Sequence, residues 1–112
     1  MSSIDRGLFP GALEMMILQT VRREPLHGYA LAQIIKRNSR DLLQVEEGSL
    51  YPALQRMLKA GWLAAEWGVS ARNRKVRVYR ITPAGRKQLD RTVSSFEQML
   101  EGITRAMKAA ES

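Results

Sequence analysis

Arg72, Arg74, Lys75, Arg77, Arg80, Arg86, Lys87 and Arg91 crowd into one short stretch, and Asp90 is the sole acid between residues 68 and 91. That local surplus equals the formal net charge of +7 carried by all 112 residues, so the remainder of the chain is electrically balanced. Cations held this close repel one another until a polyanion neutralises them, and confinement to one segment is the footprint of a protein that lies along a phosphate backbone. The chemistry on offer is binding by charge. Bond-making chemistry finds no comparable set of residues. There is no glycine loop to cradle a phosphate and no Ser, His and acid arrangement, and the closest carboxylates, Glu46 and Glu47, are sequence neighbours whose side chains rarely converge. With no Cys and a single His, the chain lacks thiolate or imidazole clusters for a metal. These absences point away from an enzyme, a metal site and a cofactor.

A second set of residues, Ser49, Tyr51, Pro52, Gln55, Arg56 and Lys59, carries hydrogen-bonding and charged groups through a segment whose Leu50, Leu54, Met57 and Leu58 recur at helical spacing. The apolar stripe faces a core, which leaves Tyr51, Gln55, Arg56 and Lys59 outward. Tyr51 would otherwise be core filler, but the stripe already occupies the inward face. Arg and Gln pair bidentately with guanine and adenine edges, whereas an exposed helical Arg is also often a merely solvated charge. Ser49 reads as the N-cap, Pro52 as a first-turn residue and Gly61 as the left-handed stop. For Arg72, Arg74, Lys75 and Arg77 the reading is contact with the DNA backbone or minor groove. His27 and Tyr29 admit three readings: local packing at a helix start, phosphate contact, or a pH-sensitive group.

The elements that must position these groups follow from periodicity. Pro10 opens a first helix with Leu13, Met16, Ile17 and Val21 on one face, and Pro25 closes it. Met15 and Leu18 lie off that stripe, so this helix is expected to touch a second neighbour, which another chain could supply. A second helix runs from Gly28 and Tyr29 to near Asn38, with Leu31, Ile34 and Ile35 inward. After the third helix the period becomes alternating. WLAAEW from Trp62, a polar turn from Gly68 to Lys75, then VRVYRI read as two strands joined by a basic loop. Thr82 and Pro83 start a last helix in which Leu89, Val93, Phe96, Leu100, Ile103 and Met107 form a heptad seam. To about Met107 that helix is roughly 37 Å long, too long for the small core it follows, so its seam calls for a second copy. Burying six such side chains is worth on the order of 10 kcal/mol before association entropy is subtracted.

The expected fold is mainly α: a winged helix-turn-helix of three helices and a β-hairpin over residues 1–82, then a long dimerisation helix over residues 83–112. At 112 residues and 45% hydrophobic, the chain supports one modest core. No apolar run approaches the roughly 18 residues that would span a membrane, and the reading is cytoplasmic. Seven aromatic residues leave little stacking surface for a single strand, which makes duplex DNA the favoured partner. A rival from another class is a winged-helix protein-interaction or RNA-binding module whose basic hairpin docks on an acidic partner.

The strings LHGYALAQII, GSLYPALQRMLKAGWL and VYRITPAGRKQL, in this order and spacing, resemble the PadR family of bacterial transcriptional regulators over nearly the whole chain. The resemblance implies an N-terminal winged helix-turn-helix, a dimerising C-terminal helix and, usually, repression of detoxification or efflux genes. A single C-terminal helix is similar to the compact subfamily, whose members bind planar aromatic compounds at the dimer centre, often against a tryptophan of the last helix. This chain has Phe96 in that helix and no Trp, with both tryptophans expected in the first strand of the wing. A small aromatic effector, in a pocket where Met15 and Leu18 meet Phe96 across the dimer, is the corresponding expectation.

Overall fold

The anticipated order of three helices, a hairpin and a long terminal helix is present in a computed structural model, which describes residues 11–111. The elements are α1 (Ala12–Arg23), β1 (Leu26–His27), α2 (Gly28–Asn38), α3 (Glu47–Lys59), β2 (Leu63–Val69), β3 (Lys75–Ile81) and α4 (Pro83–Glu111). Pro10, expected to open α1, lies outside the described residues. Gly11 caps α1 instead, at φ 86, a left-handed angle that glycine adopts without Cβ strain.

Leu13, Ile17, Leu18 and Val21 of α1 meet Leu31 and Ile35 of α2 and Leu50, Ala53, Leu54 and Met57 of α3 in one buried cluster. Leu63 and Tyr79 of the hairpin and Leu89 of α4 complete it. This cluster corrects two expectations. Leu18, assigned to an interface between chains, is 1% exposed within a single chain, because α1 is wrapped by α2, α3, the sheet and α4 and its apolar arc is wider than one stripe. Leu89, read as the first seam position, is also 1% exposed and belongs to the same core. The core therefore continues past residue 82 into the first turns of α4, with Val93 packed at its edge.

The sheet has a third strand that alternation does not announce. β1 pairs antiparallel with β3 through Leu26↔Tyr79 and His27↔Val78, giving the order β1-β3-β2. Two residues between Pro25 and Gly28 are too few to show a period, yet they tie the start of α2 to the wing. β2 runs to Val69, past the Gly68 expected to begin the turn, and Trp62 stands just before the strand rather than in it. The connection is residues 70–74, closed by hydrogen bonds from Asn73 N–H to Ser70 O at 2.9 Å and from Ser70 N–H to Arg74 O at 2.8 Å. Asn73 sits at φ 60, the left-handed position of a three-residue hairpin loop that Asn tolerates well.

Helix ends follow known cap chemistry. After α3, Gly61 at φ 80 and Trp62 donate to the carbonyls of Leu58 and Met57, the paired bonds that end a helix on a left-handed residue. Thr82 caps α4 as expected: its Oγ1 accepts from Gly85 N–H at 3.0 Å and donates to Gly61 O at 2.6 Å, joining α4 to the end of α3. At 29 residues α4 is about 43 Å long, which accounts for a molecule measuring 58 × 30 × 21 Å. Among the described residues no helix is long and apolar enough to cross a membrane.

Candidate nucleic-acid interface

Ser49 is not the cap of α3. The helix starts at Glu47, after Glu46, whose carbonyl accepts from both Ser49 and Leu50 N–H, so Ser49 is its third residue and Pro52 its sixth. An acidic residue at the first position suits the positive helix end, which explains the earlier start. At about 100° per residue, the buried Leu50, Ala53, Leu54 and Met57 define one side. Gly48, Pro52, Gln55 and Lys59 then centre the opposite, exposed side, with Tyr51 on one flank and Arg56 and the half-buried Ser49 on the other.

The flanks are anchored to different neighbours. Tyr51 is 43% exposed, and its ring rests on Gly28 at the start of α2: a Cβ at Gly28 would lie 3.1 Å from the Tyr51 ring and hydroxyl. Arg56 reaches back to Glu14 of α1, Nη2 to Oε2 at 3.4 Å, an ion pair that turns its guanidinium away from the outward centre. Gly48 carries no signal in the sequence that marks it for this face. A Cβ there would meet nothing within 4 Å, so nothing in the monomer requires glycine at that position.

Beside α3, His27 caps α2: its Nδ1 accepts from Ala30 N–H at 3.3 Å, which leaves Nε2 as the protonated, donating nitrogen. Of the three readings for His27, local capping describes its Nδ1. Tyr29, the second residue of α2, is exposed. Tyr79, opposite Leu26 in the sheet, is buried against this cluster; burial pushes its phenol above the ordinary value of 10.0, with Arg77 lowering it and Tyr51 raising it.

Two cations of the wing share one strand face. Residues paired across β2 and β3 share a face, and the register Trp67↔Arg77 and Val69↔Lys75 puts Lys75 and Arg77 together. Lys75 Nζ lies 4.7 Å and the Arg77 guanidinium carbon 5.3 Å from the centroid of the Trp67 ring. Arg72 and Arg74 occupy the exposed tip, and Arg80, paired with Ala64, faces the other way. Among the described residues none of Arg72, Arg74, Lys75 and Arg77 pairs with a carboxylate.

Along α4 the expected seam divides. Leu89 and Val93 belong to the core, Phe96 is half-buried, and Leu100, Ile103 and Met107 stand exposed, Met107 at 62%. Met15 and Phe96 do come together, within one chain, where with Ala12, Thr92, Ser95 and Met99 they line a cleft of about 190 Å³ between α1 and α4. Leu18 is not part of it, being buried in the core.

Comparison with known proteins places this geometry in a family. A family model described as the transcriptional regulator PadR-like family matches residues 17–91, a span that holds α2, α3 and the whole wing. Transcriptional regulator Rv3488 of Mycobacterium tuberculosis is 35% identical over 92 residues, 82% of each chain. Among solved structures, a transcriptional regulator from Clostridium thermocellum superposes with a TM-score of 0.80 at 25% identity, over 93% of this chain and 97% of that one. A PadR-like transcriptional regulator from Bacillus cereus superposes at 0.75 with 27% identity, over 95% and 97%.

Proposed function

The chain belongs to the PadR-like family of transcriptional regulators, and from that premise we propose that it binds a pseudo-palindromic operator in duplex DNA as a homodimer and represses transcription by occupying a promoter. The observation that carries this reading is the pairing of an outward α3 face with a wing whose Arg72, Arg74, Lys75 and Arg77 have no carboxylate partner among the described residues. In the proposed complex Pro52, Gln55 and Lys59 face the major groove, with Ser49 and Tyr51 beside them. Gln55 reads a base edge; Lys59, Tyr51, His27 Nε2 and Tyr29 meet phosphates. Arg56 joins the contact only by leaving Glu14. The wing grips the flanking backbone through Arg72, Arg74, Lys75 and Arg77.

Dimerisation is proposed through Phe96, Leu100, Ile103 and Met107, with Val93 and Met15 at its inner edge. Two α3 helices related by a two-fold axis would read half-sites about 34–36 Å apart. A small aromatic effector is proposed to enter the cleft lined by Met15, Phe96 and Met99, where it would alter the separation of the two α3 helices and thereby favour one DNA spacing. A thermal-shift screen of planar aromatic compounds tests this step, and no stabilisation by any of them would remove it.

Fluorescence anisotropy on the gene's own upstream duplex and a shuffled copy, at several salt concentrations, tests the whole reading. A preference for the native duplex of about a thousandfold or more is the expected result. Equal, strongly salt-dependent binding to both would leave a basic protein with no operator in that region. No binding to either would favour an interaction module docking its wing on an acidic protein or RNA.

A further inference from the structure

Trp67 is 60% exposed, so it contributes little to the core, and it shares its strand face with Lys75, Arg77 and the buried Tyr79. Its ring lies beneath both cations, at 4.7 and 5.3 Å from the centroid. Arg77 is its direct partner across the hairpin, and Lys75 sits two pairs further toward the tip, opposite Val69 and on the same face. Neither cation has a carboxylate partner among the described residues, so what orients them is the negative face of the indole. Lys and Arg side chains otherwise sample many rotamers, and each that must be immobilised on binding weakens the complex.

We propose that Trp67 is a positioning residue for DNA binding: it holds Lys75 and Arg77 extended on one face of the wing as a preformed clamp for backbone phosphates. The proposal rests on the DNA-binding reading above and assigns Trp67 no contact with DNA of its own. An aromatic ring is suited to the task where a carboxylate is not. A carboxylate would orient the cations but cancel their charge, whereas the ring carries no net charge and leaves both available to phosphate. Phe at this position would keep part of the effect through its weaker ring quadrupole, and Ala none.

The test is a mutant cycle on the full-length protein, read by anisotropy on the upstream duplex across a salt series. Trp67→Ala is expected to weaken binding about fivefold while leaving the salt slope unchanged, because both cations remain to meet their phosphates. Lys75→Ala with Arg77→Ala should lower the log-log slope by about 1.8, at about 0.9 per neutralised phosphate. On that doubly substituted background Trp67→Ala should have no further effect, and Trp67→Phe alone should bind more tightly than Trp67→Ala and less tightly than the wild type. The proposal is overturned if Trp67→Ala binds as tightly as the wild type, or if its weakening persists without the two cations, which would mean that the ring touches DNA itself or merely supports the hairpin. If the wild type binds no duplex at all, the DNA-binding reading itself has failed, and the Trp67 proposal with it. Thermal unfolding of each variant separates a damaged hairpin from a loosened clamp.

Discussion

At Gly85 a missing side chain lets α4 meet the end of α3. A Cβ there would lie 2.1 Å from the Trp62 carbonyl oxygen and 2.9 Å from Ile81 Cγ1, so backbone would have to move. Gly85→Ala is therefore expected to cost more than about 2 kcal/mol, seen as a lower urea midpoint, and an unchanged midpoint would show that the junction yields. Gly48 is the opposite case. With open space around its Cβ, Gly48→Ala should leave stability unchanged or raise it by up to about 1 kcal/mol. On the proposed major-groove face it should nonetheless weaken duplex binding, because the added methyl stands where backbone approaches DNA. Equal affinity for the two proteins would place Gly48 outside the contact. At this scale the outward set on α3 was legible from helical spacing. The tie between Arg56 and Glu14 was not, since 42 residues separate them and no local pattern links them.

At the scale of elements, Thr82 joins the end of α3 to the start of α4 through one hydroxyl, accepting from Gly85 and donating to Gly61. Thr82→Ala removes both bonds and should destabilise by about 1–2 kcal/mol in thermal or urea unfolding. A change within error would mean that water replaces the cap. The wing is the element proposed to act by charge. Replacing Arg72, Arg74 and Lys75 together with Ala should weaken binding to every duplex alike and reduce the log-log salt slope by about 0.9 for each phosphate that is no longer neutralised. An unchanged slope would take the wing out of the interface. The hairpin itself was readable as alternation bounded by polar residues. β1 was not, because its existence depends on β3 offering an edge to a two-residue segment.

At the scale of the whole molecule, α4 does two jobs along its length. Its first turns fill the core through Leu89, while its last turns project from the body and expose Leu100, Ile103 and Met107. Large apolar side chains at spacings of three and four on a projecting helix are the seam that a second copy would cover. Leu100→Glu should therefore yield a monomer in sedimentation equilibrium, since a carboxylate buried between two helices has no partner there. Affinity for a two-site operator should fall by about a hundredfold or more as the second half-site loses its tether. A variant that still sediments as a dimer would move the interface to another face.

What the sequence determined by itself was local: the stop of α3 at Gly61 and the start of α4 after Thr82, which side of each helix is apolar, where the chain alternates, and where positive charge accumulates. Those are consequences of 3.6-residue and two-residue periods and of cap residues, and each is written within a few neighbouring positions. The three family-like strings coincide with α2, α3 and the junction of β3 with α4, because these segments carry the most constrained local geometry. Only the tertiary structure decided which neighbour covers each apolar position. A heptad seam looks the same whether its cover is the chain's own core, as at Leu89, or open solvent, as at Met107. It likewise decided that Leu18 is core, that Met15 meets Phe96 within one chain, and that strand register sets Trp67 beneath Lys75 and Arg77. Such pairings depend on how elements dock, and docking is settled by the summed fit of distant side chains rather than by any short run of residues.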